Sequence, residues 1–152
     1  MIERRLEELG LTLPEAAAPS FAYVPVTVHN GVAYLAGQLP KEDGDVRIRG
    51  KLGAEVSMED GLHAARVCIL QGLACLKQAL GSLDRIERIL KVNGYVASAP
   101  GFVDQPKVLD AASTLLYELF GERGRHARAA VGVAELPRNA PVEIEMIVAV
   151  RD

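Results

Sequence analysis

Apolar residues along the chain change their spacing several times, and each change marks an element. Ile2, Leu6 and Leu9 recur at helical spacing before Gly10, which predicts a short amphipathic helix over 2–9. Leu13 to Ser20 is rich in Pro and Ala and reads as a connector. Tyr23 to Val28 alternates and is Val-rich, His29-Asn30-Gly31 suits a tight hairpin turn, and Val32 to Leu39 forms the returning strand, closed by Pro40. Lys41 to Lys51 is a polar loop with a short strand at Val46–Ile48. Ser57-Met58-Glu59-Asp60 resembles a capping box. Leu62, Ala65, Cys68 or Ile69, Gly72, Leu76, Ala79 and Leu80 then mark a helix of about 22 residues, stopped by Gly81. Ile86 to Ala97 alternates as a strand until Pro100-Gly101. Pro106 sits in the first turn of a second long helix that runs to Phe120. After a polar loop, Ala127 to Glu135 and Val142 to Val150 are strands joined by a turn over 136–141.

The resulting order, β-β-α-β-α-β-β, predicts an α+β sandwich with two long helices packed on one face of a mixed sheet. It is expected to be a single domain over 1–152, with 1–22 as an N-terminal extension carrying the short helix. Several strands carry small or apolar residues on both faces. The sheet face without helices therefore needs cover, which a homo-oligomer would supply.

Composition narrows the function. Seventeen Lys and Arg stand against 20 Asp and Glu, a formal charge of -3, with no long basic run. The short clusters Arg47–Lys51 and Arg123–His126 read as solvated loops, so a nucleic-acid partner is not expected. No apolar run is long enough for a membrane span, and the charged start differs from a signal peptide, so a cytoplasmic location is expected. Cys68 and Cys75 are two helical turns apart, about 10 Å, too far for a disulfide, and read as core residues in a reduced compartment. The three His and two Cys show no metal-ligand spacing.

Strand parity singles out a few charges. Glu143 and Glu145 alternate with the apolar Val142, Ile144 and Met146. If the last two strands form a hairpin that pairs Glu135 with Val142, Arg128, Glu143 and Glu145 share a face otherwise lined by Ala and Gly. Arg128 and Glu143 would then lie about 20 Å apart along the ladder, too far for one small ligand in one chain. A site using both must lie between subunits. An Arg fork holds a carboxylate, and a nearby Glu positions water or moves a proton. The bland alternative is solvated charges or structural ion pairs. His63 reads as a partly buried packing residue. Ser98 and Ser113 show no His–Asp partners in the sequence, and Gly31, Gly37 and Gly44 make no phosphate loop.

Gly37-Gln38-Leu39-Pro40 after an Asn-Gly turn, Arg128 leading a Val-rich strand, Glu135-Leu136-Pro137 and Val142-Glu143-Ile144-Glu145 resemble the RidA/YjgF family, also called endoribonuclease L-PSP or enamine/imine deaminases. The resemblance spans Tyr23 to Val150. It implies a chorismate-mutase-like subunit in a homotrimer with ligand clefts between subunits. It further implies cofactor-free hydrolysis of 2-imino acids to 2-keto acids and ammonia. Arg128 falls on the family's carboxylate-binding arginine and Glu143 on its water-positioning glutamate. Gly37 and Tyr23 fall on its cleft glycine and tyrosine. Where the deaminase branch has Arg-Ser-Cys, this chain has Arg128-Ala129-Ala130, leaving only the backbone N–H of Ala130 for binding. Ala36 stands where a Ser often precedes the cleft glycine, and the family's helix Asn has only Ser113 or Asp110 nearby. The expected function is therefore imine or enamine deamination. The alternatives are a non-catalytic, regulatory trimer that binds small carboxylates and, less favoured by the charge, a ribonuclease.

Overall fold

The computed structural model describes residues 1–16, 18 and 21–152. Its chain order is α1 (Ile2–Glu8), β1 (Val26–His29), β2 (Val32–Gln38), β3 (Lys41–Glu42), β4 (Asp45–Val46), α2 (Met58–Leu80), β5 (Ile86–Ala97), α3 (Gln105–Phe120), β6 (Ala127–Val133) and β7 (Val142–Val150). The local signals act as their chemistry requires. Asn30 and Gly31 both take positive φ, 51° and 75°, and turn β1 back on β2. Ser57 caps α2 by accepting from the Asp60 N–H at 3.1 Å, and Gly81 ends it at φ 86°. The connector predicted over 13–20 falls partly outside the described residues.

Some boundaries move. The first strand starts at Val26, leaving Tyr23 in the bend before it. The short loop strand is Asp45–Val46, paired with Lys41–Glu42. The sixth strand stops at Val133 because Glu135 turns outward, where it accepts from Lys51 Nζ at 3.0 Å.

The sheet order is β1-β2-β7-β5-β6. This corrects the expected hairpin between the last two strands. β5 lies between them, antiparallel to β7 and parallel to β6. A parallel neighbour needs a crossover, and α3 supplies it. The segment between β6 and β7 then arches over the end of β5. The Ala97 N–H donates to Pro141 O at 2.9 Å, and the Ser98 N–H to Val133 O at 3.0 Å.

The new register also corrects the shared face. Arg128 is level with Val92, which is level with the buried Met146, so Arg128 points to the helix side. Glu143 pairs with Tyr95 and Glu145 with Asn93, on the opposite side. The two candidate residues lie three positions apart along the ladder and two strands across. Strand spacings put their backbones about 14 Å apart, not 20.

α2 and α3 cover one face, closing a core that includes Leu73, Leu76, Leu109, Leu116, Ile144 and Val148. α1 joins this core through Ile2 and Leu6, while Leu9 packs at its margin, and the Ile2 N–H donates to Asp84 Oδ1 at 3.0 Å. The other face carries Val32, Tyr34, Ile147, Ala149, Ala129 and Val131 by register, and Tyr34 and Val131 are 48% and 46% exposed. No helix is long and apolar enough to cross a membrane among the described residues.

α3 lies close to β5 because Gly94 has no side chain. A Cβ there would meet Leu109, with Cδ2 only 2.8 Å away. Gly94→Ala is expected to lower stability by about 1–3 kcal/mol through overpacking. Urea unfolding of the two proteins checks this, with an unchanged midpoint counting against the tight contact.

Candidate active site

Glu143 stands on β7 at the open face, over a distortion of β2. The ladder between β2 and β7 shifts register between Leu35 and Gln38, which frees Ala36 and Gly37 from regular pairing. Three bonds hold this bulge. The Ala36 N–H donates to Pro25 O at 2.8 Å. The Gln38 amide donates to Ala36 O at 3.0 Å, and Cys75 Sγ reaches Gln38 Oε1 at 3.6 Å. At Gly37 a Cβ would lie 2.9 Å from Glu143 Cδ, so a side chain there would displace the carboxylate.

The Glu143 carboxylate lines a cleft of about 610 Å³ together with Gly37, Tyr23, Phe21, Lys41 and Arg138. Tyr23 is half exposed at its wall. Glu143 accepts no hydrogen bond and forms no ion pair among the described residues, and burial and then the neighbouring Glu145 charge hold its proton more tightly than usual. Glu145 differs. Its Oε1 accepts from Tyr95 Oη at 2.6 Å and Asn93 Nδ2 at 3.2 Å. The Tyr95 hydroxyl is pushed up to about 12, first by that bond to Glu145 and then by burial. The two glutamates thus divide into a satisfied carboxylate and an unpaired one aimed into space.

Arg128 lines a different cavity, of about 380 Å³, with Ser113, Tyr117, Gly124, Arg125 and His126. Its guanidinium is fixed by α3. Nη1 donates to Asp110 Oδ1 at 2.8 Å and Ser113 Oγ at 3.1 Å, and Nη2 to Pro106 O at 3.3 Å. Nε has no partner among the described residues, so an edge of the fork stays open to a carboxylate. The structure therefore brings Glu143, Gly37 and Tyr23 together and places Arg128 apart from them. Ala130 is level with Gly94, packs against the core and lines neither cavity.

Other expectations shift. His63 is more than half exposed, with Nε2 2.9 Å from Glu42 Oε1, rather than a packing residue. Ser113 does have a histidine partner, His126, invisible in sequence because the pair spans α3 and a loop. Asn93 and Tyr95 were also missed. Their parity with Glu145 and Glu143 emerges only once β5 is known to flank β7. No three His, Cys, Asp or Glu side chains gather as a metal site among the described residues.

A mixed sheet with two helices on one face and a glycine-floored carboxylate cleft on the other defines a chorismate-mutase-like α+β protein. The YjgF/chorismate-mutase-like family model matches residues 3–149, so the chain belongs to this family. It is 44% identical to Protein TCP17 of Trypanosoma cruzi over 148 residues, 97% of this chain and 92% of that protein. A Shewanella oneidensis structure, named as a candidate endoribonuclease, superposes with TM-score 0.95 at 35% identity, covering 99% of each chain. The Escherichia coli YjgF gene product shares the fold, with TM-score 0.65 at 24% identity over 91% of this chain and 94% of its own.

Because folding raises the Glu143 pKa above 4.5, the folded state holds that proton more tightly than the unfolded chain. This group's contribution to stability therefore falls as pH rises from 4.5 through its folded pKa. Glu145→Gln removes the secondary cause, and the Glu143 titration is expected to move down toward 4.5. Carbon-13 NMR of the carboxyl groups reads this shift, and an unmoved Glu143 would show that the two charges are not coupled.

Proposed function

We propose that this protein hydrolyses 2-imino or enamine acids to 2-keto acids and ammonia at clefts between subunits of a homotrimer. The observation that carries this reading is the unpaired Glu143 carboxylate over Gly37, opening into the cleft. A carboxylate whose proton affinity is raised takes a proton from water and returns it to nitrogen more readily near neutral pH. Arg128, with its guanidinium held by Asp110, Ser113 and Pro106, offers the open edge that a substrate carboxylate needs. Water then adds at the imine carbon, the C–N bond breaks, and ammonia leaves with the transferred proton.

This division of labour calls for oligomerisation. Arg128 and Glu143 line separate cavities of one chain, and a neighbour's Arg128 is needed to complete the Glu143 cleft. The exposed apolar sheet face gives copies a surface on which to assemble. Phe21 and Tyr23 supply an apolar wall, and the reaction uses no cofactor. Ala130 removes the thiol of the deaminase branch, which favours as a second reading a trimer that binds keto acids without turning them over.

The decisive experiment generates 2-iminopropanoate with an amino-acid oxidase and follows trapping by semicarbazide. Wild type is expected to deplete the imine, and Arg128→Ala and Glu143→Gln to lose at least a hundredfold in rate. When the two variants are co-refolded, about a quarter of the clefts receive both wild-type residues, restoring that share of activity. Failure of mixing to restore activity sinks the inter-subunit site. Keto-acid binding without turnover by wild type moves the assignment to the non-catalytic binder.

A further inference from the structure

Ser113 and His126 form a hydrogen-bonded pair beside Arg128, and imine hydrolysis has no use for the histidine. His126 Nδ1 lies 2.7 Å from Gly124 O, which only accepts, so Nδ1 carries the ring hydrogen. Nε2 then presents its lone pair to Ser113 Oγ, 2.8 Å away, and the hydroxyl donates to it. A helical serine ordinarily bonds back to its own helix. Here the hydroxyl hydrogen is directed out of α3 toward the ring. Arg128 Nη1 donates to the same Oγ at 3.1 Å. That bond holds the guanidinium against Oγ, and its Nε and second Nη2 hydrogens, without partners among the described residues, are the cationic donors for an oxygen attached to the same carbon as Oγ. The group opens into the 380 Å³ cavity beside Thr114, Tyr117 and Arg125.

We propose that Ser113 is a nucleophile for acyl transfer, with His126 as its base, the Gly124 carbonyl as the group that orients the ring, and short-chain carboxylic esters as the substrate class. Ser113 Oγ bonds to the ester carbonyl carbon as its proton passes to His126 Nε2. Arg128 receives the carbonyl oxygen as it becomes anionic. The bond to the alcohol breaks, and Nε2 returns the proton to the departing oxygen. Water then repeats the sequence on the acyl-serine, releasing a carboxylic acid. Burial, and secondarily the Arg128 charge, keep His126 below its ordinary pKa and so neutral, the form a base requires. The charged and titratable groups beside the ring are Arg128 from β6, Asp110 and Tyr117 from α3, and Arg125 from its own loop. This inference goes beyond imine hydrolysis and does not involve Glu143.

A fluorophosphonate probe and p-nitrophenyl acetate test it on the full-length protein. The expected result is one phosphonyl group per chain, found on the peptide that contains Ser113 and absent from Ser113→Ala. That variant retains the fold because alanine is the better helix former. His126→Gln is expected to slow labelling at least a hundredfold. The labelling rate should rise with pH with its midpoint below 6.5, the ordinary histidine value. No label on wild type after prolonged exposure overturns the proposal, as does a label that persists in Ser113→Ala. Ester turnover unaffected by His126→Gln overturns the role of the base.

Discussion

β5 is the strand on which the arrangement depends. It is hydrogen-bonded on both edges, parallel to β6 and antiparallel to β7. By lying between them it parts Arg128 from Glu143 and sends their side chains to opposite faces of the sheet. Its position requires α3 to cross over the sheet, and Gly94 lets α3 come close enough to seal the core. A residue with a side chain at that point would lift the helix that carries Asp110 and Ser113, and with it the anchoring of Arg128.

The two cavities differ in how their charges are managed. Around Arg128 every contact is a donor meeting an acceptor, so the guanidinium is oriented before any ligand arrives. Around Glu143 the partners are withheld. Its neighbour Glu145 takes both the Tyr95 hydroxyl and the Asn93 amide, leaving Glu143 half buried and without a hydrogen-bond partner among the described residues. Unpaired charge of this kind is costly to a fold, and it recurs where chemistry is performed. The bulge in β2 allows it, because a regular strand with a side chain at position 37 would fill the space that the carboxylate occupies.

Much of the fold was legible in the chain. Ser57 and Gly81 bracket α2, and Asn30-Gly31 turns the first hairpin, because these residues act on backbone groups a few positions away. The limits of β5 and β7 fall where the apolar alternation begins and ends. The pairing of β6 was misread as a hairpin because its connection to β7 is short, and short links usually join neighbours. Nothing local records that β5 is already there. The same gap hid His126 from Ser113 and Tyr95 from Glu145, since each pair is joined through space rather than by spacing.

The chain's own pattern set the elements, the alternation that leaves glutamates on an otherwise apolar strand, and the presence of Gly37, Arg128 and Glu143 in their strands. These are properties of single segments, set by backbone preference and by which side chains water excludes. Which strands are neighbours was set by long-range packing, and with it which face Arg128 points to, which glutamate is satisfied and which is left open. Strand order is a matter of long-range packing, and a one-strand insertion changes every cross-strand partner while leaving each strand's own pattern intact.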